Sequence, residues 1–399
     1  MSRRGPFALC LLLLGACQWA SPPSAPAVPD AGTAPVASAP AAVPVFAAVP
    51  EPLPTCRARG AAPLDAALDY LGNGKYLEAL SCAAQASALE PDSAAAHSAR
   101  GDALAALNRI AEAQVAYARA LAIDPGQPDA LLGAAHFYAV QLPSNREHDE
   151  LGILYAERGL SQADLAPELL PRFALVAAMA LNDLGRASEA LQHAQLVLAR
   201  APDNHEAAYE KALAFFELCR FAEARAAFTT LVNDPRRGAH AHYHLGLLLE
   251  REGRWKQAQS HFDKARALSP EDFPVPPMPS QAEFREEVAR AVSALPEDMR
   301  KDLTGVPVRA EELPAEEDLL ASEPPLSPAI LGLFRGPPLG EPCDDAETPC
   351  RSVALYRLNL ARAVRTREEL REQITVTLLH EVGHLRGEDD MELAARGLE

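Results

Sequence analysis

A chain of 399 residues with 48% apolar content can bury more than one hydrophobic core and is long enough for more than one domain. Its formal net charge of −18 argues against a phosphate-backbone partner, which needs clustered Lys and Arg, so no nucleic acid is expected to bind.

At the N-terminus, Arg3 and Arg4 precede an apolar run from Phe7 to Leu14 that is too short to span a bilayer as a mature helix. That is the pattern of an export signal over residues 1–17. Leu14-Gly15-Ala16-Cys17 resembles a bacterial lipobox, and the resemblance implies cleavage before Cys17, lipidation of Cys17, and anchoring to a membrane of the cell envelope. The alternative is an ordinary cleaved signal and a secreted protein. Residues 18–55, dominated by Ala, Pro, Val and Ser, lack patterned apolar surface and read as an extended linker.

If Cys10 leaves with the signal and Cys17 is lipidated, Cys56, Cys82, Cys219, Cys343 and Cys350 remain in a compartment that permits disulfides. Cys343 and Cys350 bracket a short polar loop and are expected to pair, a two-cysteine metal site being the alternative. Cys56 with Cys82 is a second candidate pair, and Cys219 reads as a lone core thiol.

Residues 56–270 carry self-similarity at a period of about 34 residues. The clearest copy sets Gly101, Ala113, Tyr117, Ala120 and Pro125 in register. The last copy repeats that spacing with Gly246, Ala258, Phe262, Ala265 and Pro270. Weaker copies contain Ala79, Ala86 and Pro91, then Ala190 and Pro202, then Phe215, Ala224 and Phe228, and the third copy has an insertion around Leu142 to Asp149. The pattern resembles the tetratricopeptide repeat (TPR). The resemblance implies about six helix pairs stacked as a solenoid with a groove for protein or peptide partners. His240, His242 and His244 lie in the last copy; His240 and His244 share a helix face, and all three read as groove or surface histidines rather than a metal cluster. His97, His136, His193, His205 and His261 are expected to be structural.

A Pro-rich joint, Phe273-Pro274-Val275-Pro276-Pro277-Met278-Pro279, opens a second domain over residues 271–399. Ser280 to Ala294 is predicted to be a helix, with Phe284, Val288, Ala291 and Val292 on one stripe. Val306 to Ala310 and Val353 to Arg357 alternate as short strands, and Gly332 to Leu339 is expected to be one of the loops between them. Thr366 to Leu379 reads as an amphipathic helix with Leu370, Ile374, Leu378 and Leu379 toward a core.

That helix runs into His380-Glu381-Val382-Gly383-His384, followed by Gly387 and by Asp390. Residues four apart lie one turn apart on one helix face, so His380 and His384 can offer both imidazoles to one metal. Glu381, beside the first ligand, stands where a carboxylate can serve as general base. Gly387 can end the helix in the left-handed conformation and turn the chain back. Asp390 has the best spacing for a third ligand; Asp389 and Glu388 are alternatives, and Glu392 an outside one.

The order helix, strand, loop, strand, H-E-x-G-H helix resembles the minimal zincin-like metallopeptidases of bacteria. The resemblance rests also on Gly332-Leu333-Phe334-Arg335-Gly336, on Val353 to Arg357 and on Asp390. It implies a small α+β domain with Zn²⁺ held by His380, His384 and Asp390, and Glu381 as the catalytic base. Leu385-Arg386 departs from the family's usual pair at that place, and Met391 follows Asp390 too closely to serve as a Met-turn. Arg357 and Arg386 are the candidate oxyanion donors, and the strand around Leu355 the candidate edge for a peptide substrate.

The expected fold is mainly α: a TPR helical-repeat solenoid followed by a small α+β zincin-like metallopeptidase domain. The expected function is an exported, lipid-anchored zinc peptidase whose repeats recruit protein substrates. A TPR adaptor lipoprotein with an inactive zincin-like domain is the alternative, and a zinc site that only supports structure is a third reading.

Overall fold

The computed structural model describes residues 53–58, 60–343 and 349–398. The signal, Cys10, Cys17 and nearly all of the linker lie outside the described residues. None of the described helices is long and apolar enough to cross a membrane.

Six helix pairs follow one another. They are α1 (Pro63–Gly72) with α2 (Tyr76–Leu89), α3 (Ala94–Ala106) with α4 (Ile110–Ile123), α5 (Pro128–His136) with α6 (Arg146–Leu160), α7 (Leu170–Asp183) with α8 (Ala187–Arg200), α9 (His205–Glu217) with α10 (Phe221–Leu231), and α11 (Gly238–Arg251) with α12 (Trp255–Leu268). A π-helical turn, Phe137–Gln141, prolongs α5 before α6 and accounts for the irregular third pair. The glycines dictate how each pair closes. A Cβ on Gly101 would stand 2.7 Å from the Tyr117 ring, and one on Gly246 2.5 Å from the Phe262 ring. Each aromatic of a second helix therefore lies flat on the bare backbone of the first, which only a glycine allows. Ser93, Asn145 and Asn204 begin α3, α6 and α9 by accepting the backbone N–H three residues on.

The histidines of α11 depart from expectation. His240 and His244 do share a face, but the face is buried rather than open to a groove. His244 stacks on Phe228 at 4.6 Å between ring centroids and packs edge-on against Phe216, while His240 meets Phe273 at 5.2 Å. Burial pushes the pKa of His244 down to about 4, so it is a neutral core ring. His242 is also buried, with its Nδ1 2.9 Å from Nδ1 of His261.

The C-terminal part begins with α13 (Gln281–Ala294), whose first turn is closed by a reciprocal Ser280–Glu283 capping box. There follow α14 (Glu297–Asp302), β1 (Val308–Glu311), α15 (Glu316–Leu319), β2 (Gly332–Arg335), β3 (Ser352–Tyr356), α16 (Arg357–Ala363), α17 (Arg367–Arg386) and α18 (Asp390–Ala395). The strands form one sheet in the order β1-β3-β2, with β1 parallel and β2 antiparallel to β3.

Two expectations are corrected here. Gly332 to Arg335 is a strand rather than loop, paired with Ser352 to Leu355. Its four residues, bounded by Gly336 and two prolines, are too few for alternation to register. Second, β3 cannot lend an edge to a substrate, because it is the central strand and every residue of it is buried. The free edges belong to β1 and β2.

The core joins Phe284 and Val288 of α13, Val353 and Leu355 of β3, and Leu370, Ile374, Leu378, Val382 and Leu385 of α17. Each fully buried Leu or Ile contributes on the order of 2 kcal/mol, so this stripe fixes the rotation of α17 about its axis and the direction in which its histidines point. Leu385, one of the departures noted above, is simply part of that core, and Met391 is 66% exposed.

The two parts of the chain pack on each other. Arg362 of α16 bonds both oxygens of Glu250 in α11, Arg251 donates to the Pro314 carbonyl 3.1 Å away, and Cys219 lies 3.7 Å from the Leu326 carbonyl. Cys56 is bridged to Cys82 and Cys343 to Cys350, and Cys219 is a free buried thiol.

Candidate metal centre

α17 starts with a second capping box, Thr366–Glu369, and runs without interruption to Arg386. His380 and His384 stand one turn apart on it, with their Nε2 atoms 2.9 Å apart. Gly387 ends the helix at φ +91°, and its N–H meets the Gly383 and His384 carbonyls. The chain reverses, Asp389 caps α18, and Asp390 comes back over the histidines. Its Oδ1 lies 3.2 Å from Nε2 of His384 and 3.6 Å from Nε2 of His380. The three donor atoms all fall within 4.8 Å of one another.

The chemistry of this donor set fits a divalent cation. Nδ1 of His384 is 3.0 Å from the Glu388 carbonyl, and Nδ1 of His380 meets the carbonyl of Leu398. A carbonyl only accepts, so each Nδ1 must carry the hydrogen and each Nε2 must present its lone pair. Two lone pairs and a carboxylate oxygen in mutual contact repel one another unless a positive charge sits among them. Backbone carbonyls that fix the tautomer of a histidine are also the usual outer support of a metal ligand.

The acids beside Asp390 are otherwise engaged. Glu388 pairs with Arg396, while Asp389 and Glu392 form the capping box that starts α18. Asp390 alone of the four joins the histidines. Gly383, between the histidines, serves the same geometry from below: a Cβ there would stand 2.3 Å from Cδ2 of Leu393, the buried residue that seats α18. Gly383→Ala is expected to push α18 and Asp390 outward and weaken zinc binding by roughly tenfold or more, measured by competition with a chromophoric chelator; unchanged affinity would separate Asp390 from the site.

Glu381 is 5% exposed and projects toward β2. The backbone N–H of Phe334 donates to its carboxylate, and Gly332 leaves the space it occupies, since a Cβ there would be 2.7 Å from Oε1. Burial, opposed by the Phe334 hydrogen bond and reinforced by the nearby Asp390 charge, pushes the Glu381 pKa up to about 8. A carboxyl that titrates near neutrality can both take and give a proton there.

The arginines named from sequence as oxyanion donors are committed elsewhere. Arg357 pairs with Glu312 and donates to the Pro279 carbonyl, and Arg386 pairs with Asp298 and Asp302. Arg335 likewise ties β2 to Glu311 and Asp318. Sequence reasoning missed the Phe334 N–H, the Gly332 clearance and the Leu398 carbonyl. The first two were signalled only by the Gly-Leu-Phe run, and the third by nothing.

Family models match this chain in two places: zincin-like metallopeptidase over residues 303–398, and tetratricopeptide repeat over residues 64–128, 175–237 and 209–273. A search of curated proteins finds no match. Among solved structures, the chain is similar to PilW, a widely conserved type IV pilus biogenesis factor, at 16% identity and a TM-score of 0.45, over 53% of this chain and 94% of that one. It is similar to pilF of Pseudomonas aeruginosa at 19% identity and a TM-score of 0.44, over 57% and 96%. The likeness to YrrB, a TPR protein with an unusual peptide-binding site, is 18% identity and a TM-score of 0.38, over 47% and 93%. Similarity at these levels concerns repeat architecture and nothing further. The chain carries a zincin-like metallopeptidase domain behind an array of tetratricopeptide repeats.

Proposed function

We propose that this protein is a zinc-dependent metallopeptidase that hydrolyses peptide bonds, with its repeats recruiting protein substrates and its N-terminus anchored at the cell envelope through lipidated Cys17. The observation that carries the reading is the convergence of His380, His384 and Asp390 with Glu381 held beside them.

Those three residues would hold the metal, and the Leu398 and Glu388 carbonyls keep the histidines in the ligating tautomer. Zinc, when bound, supplies Lewis acidity toward water and a peptide carbonyl. Glu381 is the proton carrier: its carboxylate takes a proton from the attacking water and returns it to the leaving amine. The Phe334 N–H holds that carboxylate in place through both transfers. β2 borders the site and is an edge strand, so an extended peptide can align by pairing with it. Recruitment by the repeats raises local substrate concentration and so compensates for a small site. The anchor rests on the charged start, the short apolar run and the lipobox, with residues 18–55 as spacer.

The reading is tested by hydrolysis of an unfolded protein. Chelation is expected to abolish cleavage and added zinc to restore it. Cleavage that survives chelation, or none with zinc present, goes against a peptidase and toward the adaptor.

A further inference from the structure

Away from the metal centre, a cavity of about 320 Å³ lies in the seam between the last repeat and the C-terminal domain. It is walled by α11 and α12, by the Pro-rich joint and by α16. Tyr243, Phe262, Phe273 and Met278 form much of its apolar lining, and Trp255 on its border is 51% exposed. The size is that of a site for one small ligand or one or two residues of a peptide.

Two arginines line it, and both have a buried N–H with no acceptor. Arg362 spends Nη2 on the two Glu250 oxygens at 2.7 and 2.6 Å and lays its guanidinium over the Phe262 ring, yet its Nη1 is unpartnered. The side chain is only 11% exposed, so water does not readily serve that donor. Arg266 gives Nη1 to Asp263 at 3.0 Å, and its buried Nε is also unpartnered. Buried guanidinium donors are normally satisfied, and a carboxylate is the acceptor that matches their planar geometry.

Charge balance narrows the ligand further. Glu250 already offsets Arg362, Asp263 offsets Arg266, and Glu312 offsets Arg357. The Asp272 carboxylate also lines the cavity, held by the Ser269 hydroxyl at 2.6 Å. Such a lining suits a single negative charge on an apolar body and disfavours a phosphate dianion. We infer that the seam cavity is a binding site for an apolar carboxylate, supplied either by the free C-terminus of a peptide ending in an apolar residue or by a small free acid.

The test uses the full chain carrying Trp19→Phe, which leaves Trp255 as the sole tryptophan, and Glu381→Gln, which prevents turnover. Trp255 emission is followed on titration with N-acetyl-phenylalanine, with its amide, and with N-acetyl-Ala-Ala-Phe. Saturable binding of the acid, about tenfold or more weaker for the amide, and weakened likewise by Arg362→Lys and Arg266→Met, is the expected result. Tighter binding of the peptide than of the free acid assigns the site to peptide termini; the reverse assigns it to small acids. Equal response to acid and amide, no saturable response, or full binding by the folded Arg266→Met variant overturns the assignment. Arg266 is the safer substitution, because Arg362→Lys strains the buried Glu250 pair, and thermal melts of both variants separate loss of site from loss of fold.

Discussion

Glu381→Gln is expected to retain metal and to lose about 10²–10⁴-fold in kcat against an unfolded protein substrate. The substitution changes neither size nor shape, and its amide oxygen can still accept the Phe334 N–H. None of the residues that converge as metal ligands is touched, so metal affinity is expected to hold. Folding is expected to hold as well: with a pKa of about 8, the native carboxyl is already largely neutral at pH 7, and a neutral amide replaces it with little desolvation cost. What is lost is the ability to take a proton from water and deliver it to an amine. Measuring kcat and bound zinc on the same preparation decides the matter. Wild-type kcat in the variant would remove Glu381 from the chemistry.

A second large effect is expected far from the metal. Glu217 ends α9, is buried, and faces Ser327 of the C-terminal part; one of its oxygens, Oε1, has no partner. Burial pushes its pKa from 4.5 up to about 7, against the smaller opposing effect of the Ser327 hydroxyl. The folded state therefore binds this proton more tightly than the unfolded chain does. As pH rises from 4.5 to 7 the unfolded state sheds the proton first, and stability falls; above 7 the loss is complete. A shift of that size corresponds to about 3 kcal/mol at most. Glu217→Gln keeps the Ser327 contact without an ionisable group. Its stability advantage over wild type is expected to grow by up to about that amount between pH 4.5 and 8, read from urea denaturation at several pH values. Asp102, raised to about 6 by its own burial, titrates in both proteins and cancels in the difference. Parallel stability profiles would mean that Glu217 is solvated in the folded protein.

Both predictions rest on features of unequal visibility in the sequence. The repeats were readable because a glycine and the aromatic that covers it recur at fixed spacing, and Gly101–Tyr117 and Gly246–Phe262 are in contact as that spacing requires. α17 was readable because Leu370, Ile374 and Leu378 mark one face and the histidines continue its period. The choice among the acids near Asp390 stayed open because chain reversal after Gly387 can present any of them. A closer reading of Asp389 and Glu392 as a capping box would have narrowed it, since a capping side chain is turned to its own helix. β2 was hidden by brevity and by flanking Gly and Pro. Its role toward Glu381 depends on a backbone N–H, which every residue but proline possesses. The Leu398 carbonyl was invisible for a similar reason, and so was the burial of His244, which depends on α9 and α10 closing over α11. Arg357 and Arg386 were plausible donors only while their carboxylate partners, 45 and 84 or more residues away, were unknown.

The central claim is that His380, His384 and Asp390 hold a catalytic zinc ion, and the most direct measurement is the zinc content of the purified wild-type chain beside His380→Ala, by elemental analysis after dialysis. Stoichiometric zinc in the wild type and its loss in His380→Ala are expected. A wild-type chain that takes up no zinc when it is supplied, or a variant that binds as much as the wild type, would contradict the metal centre.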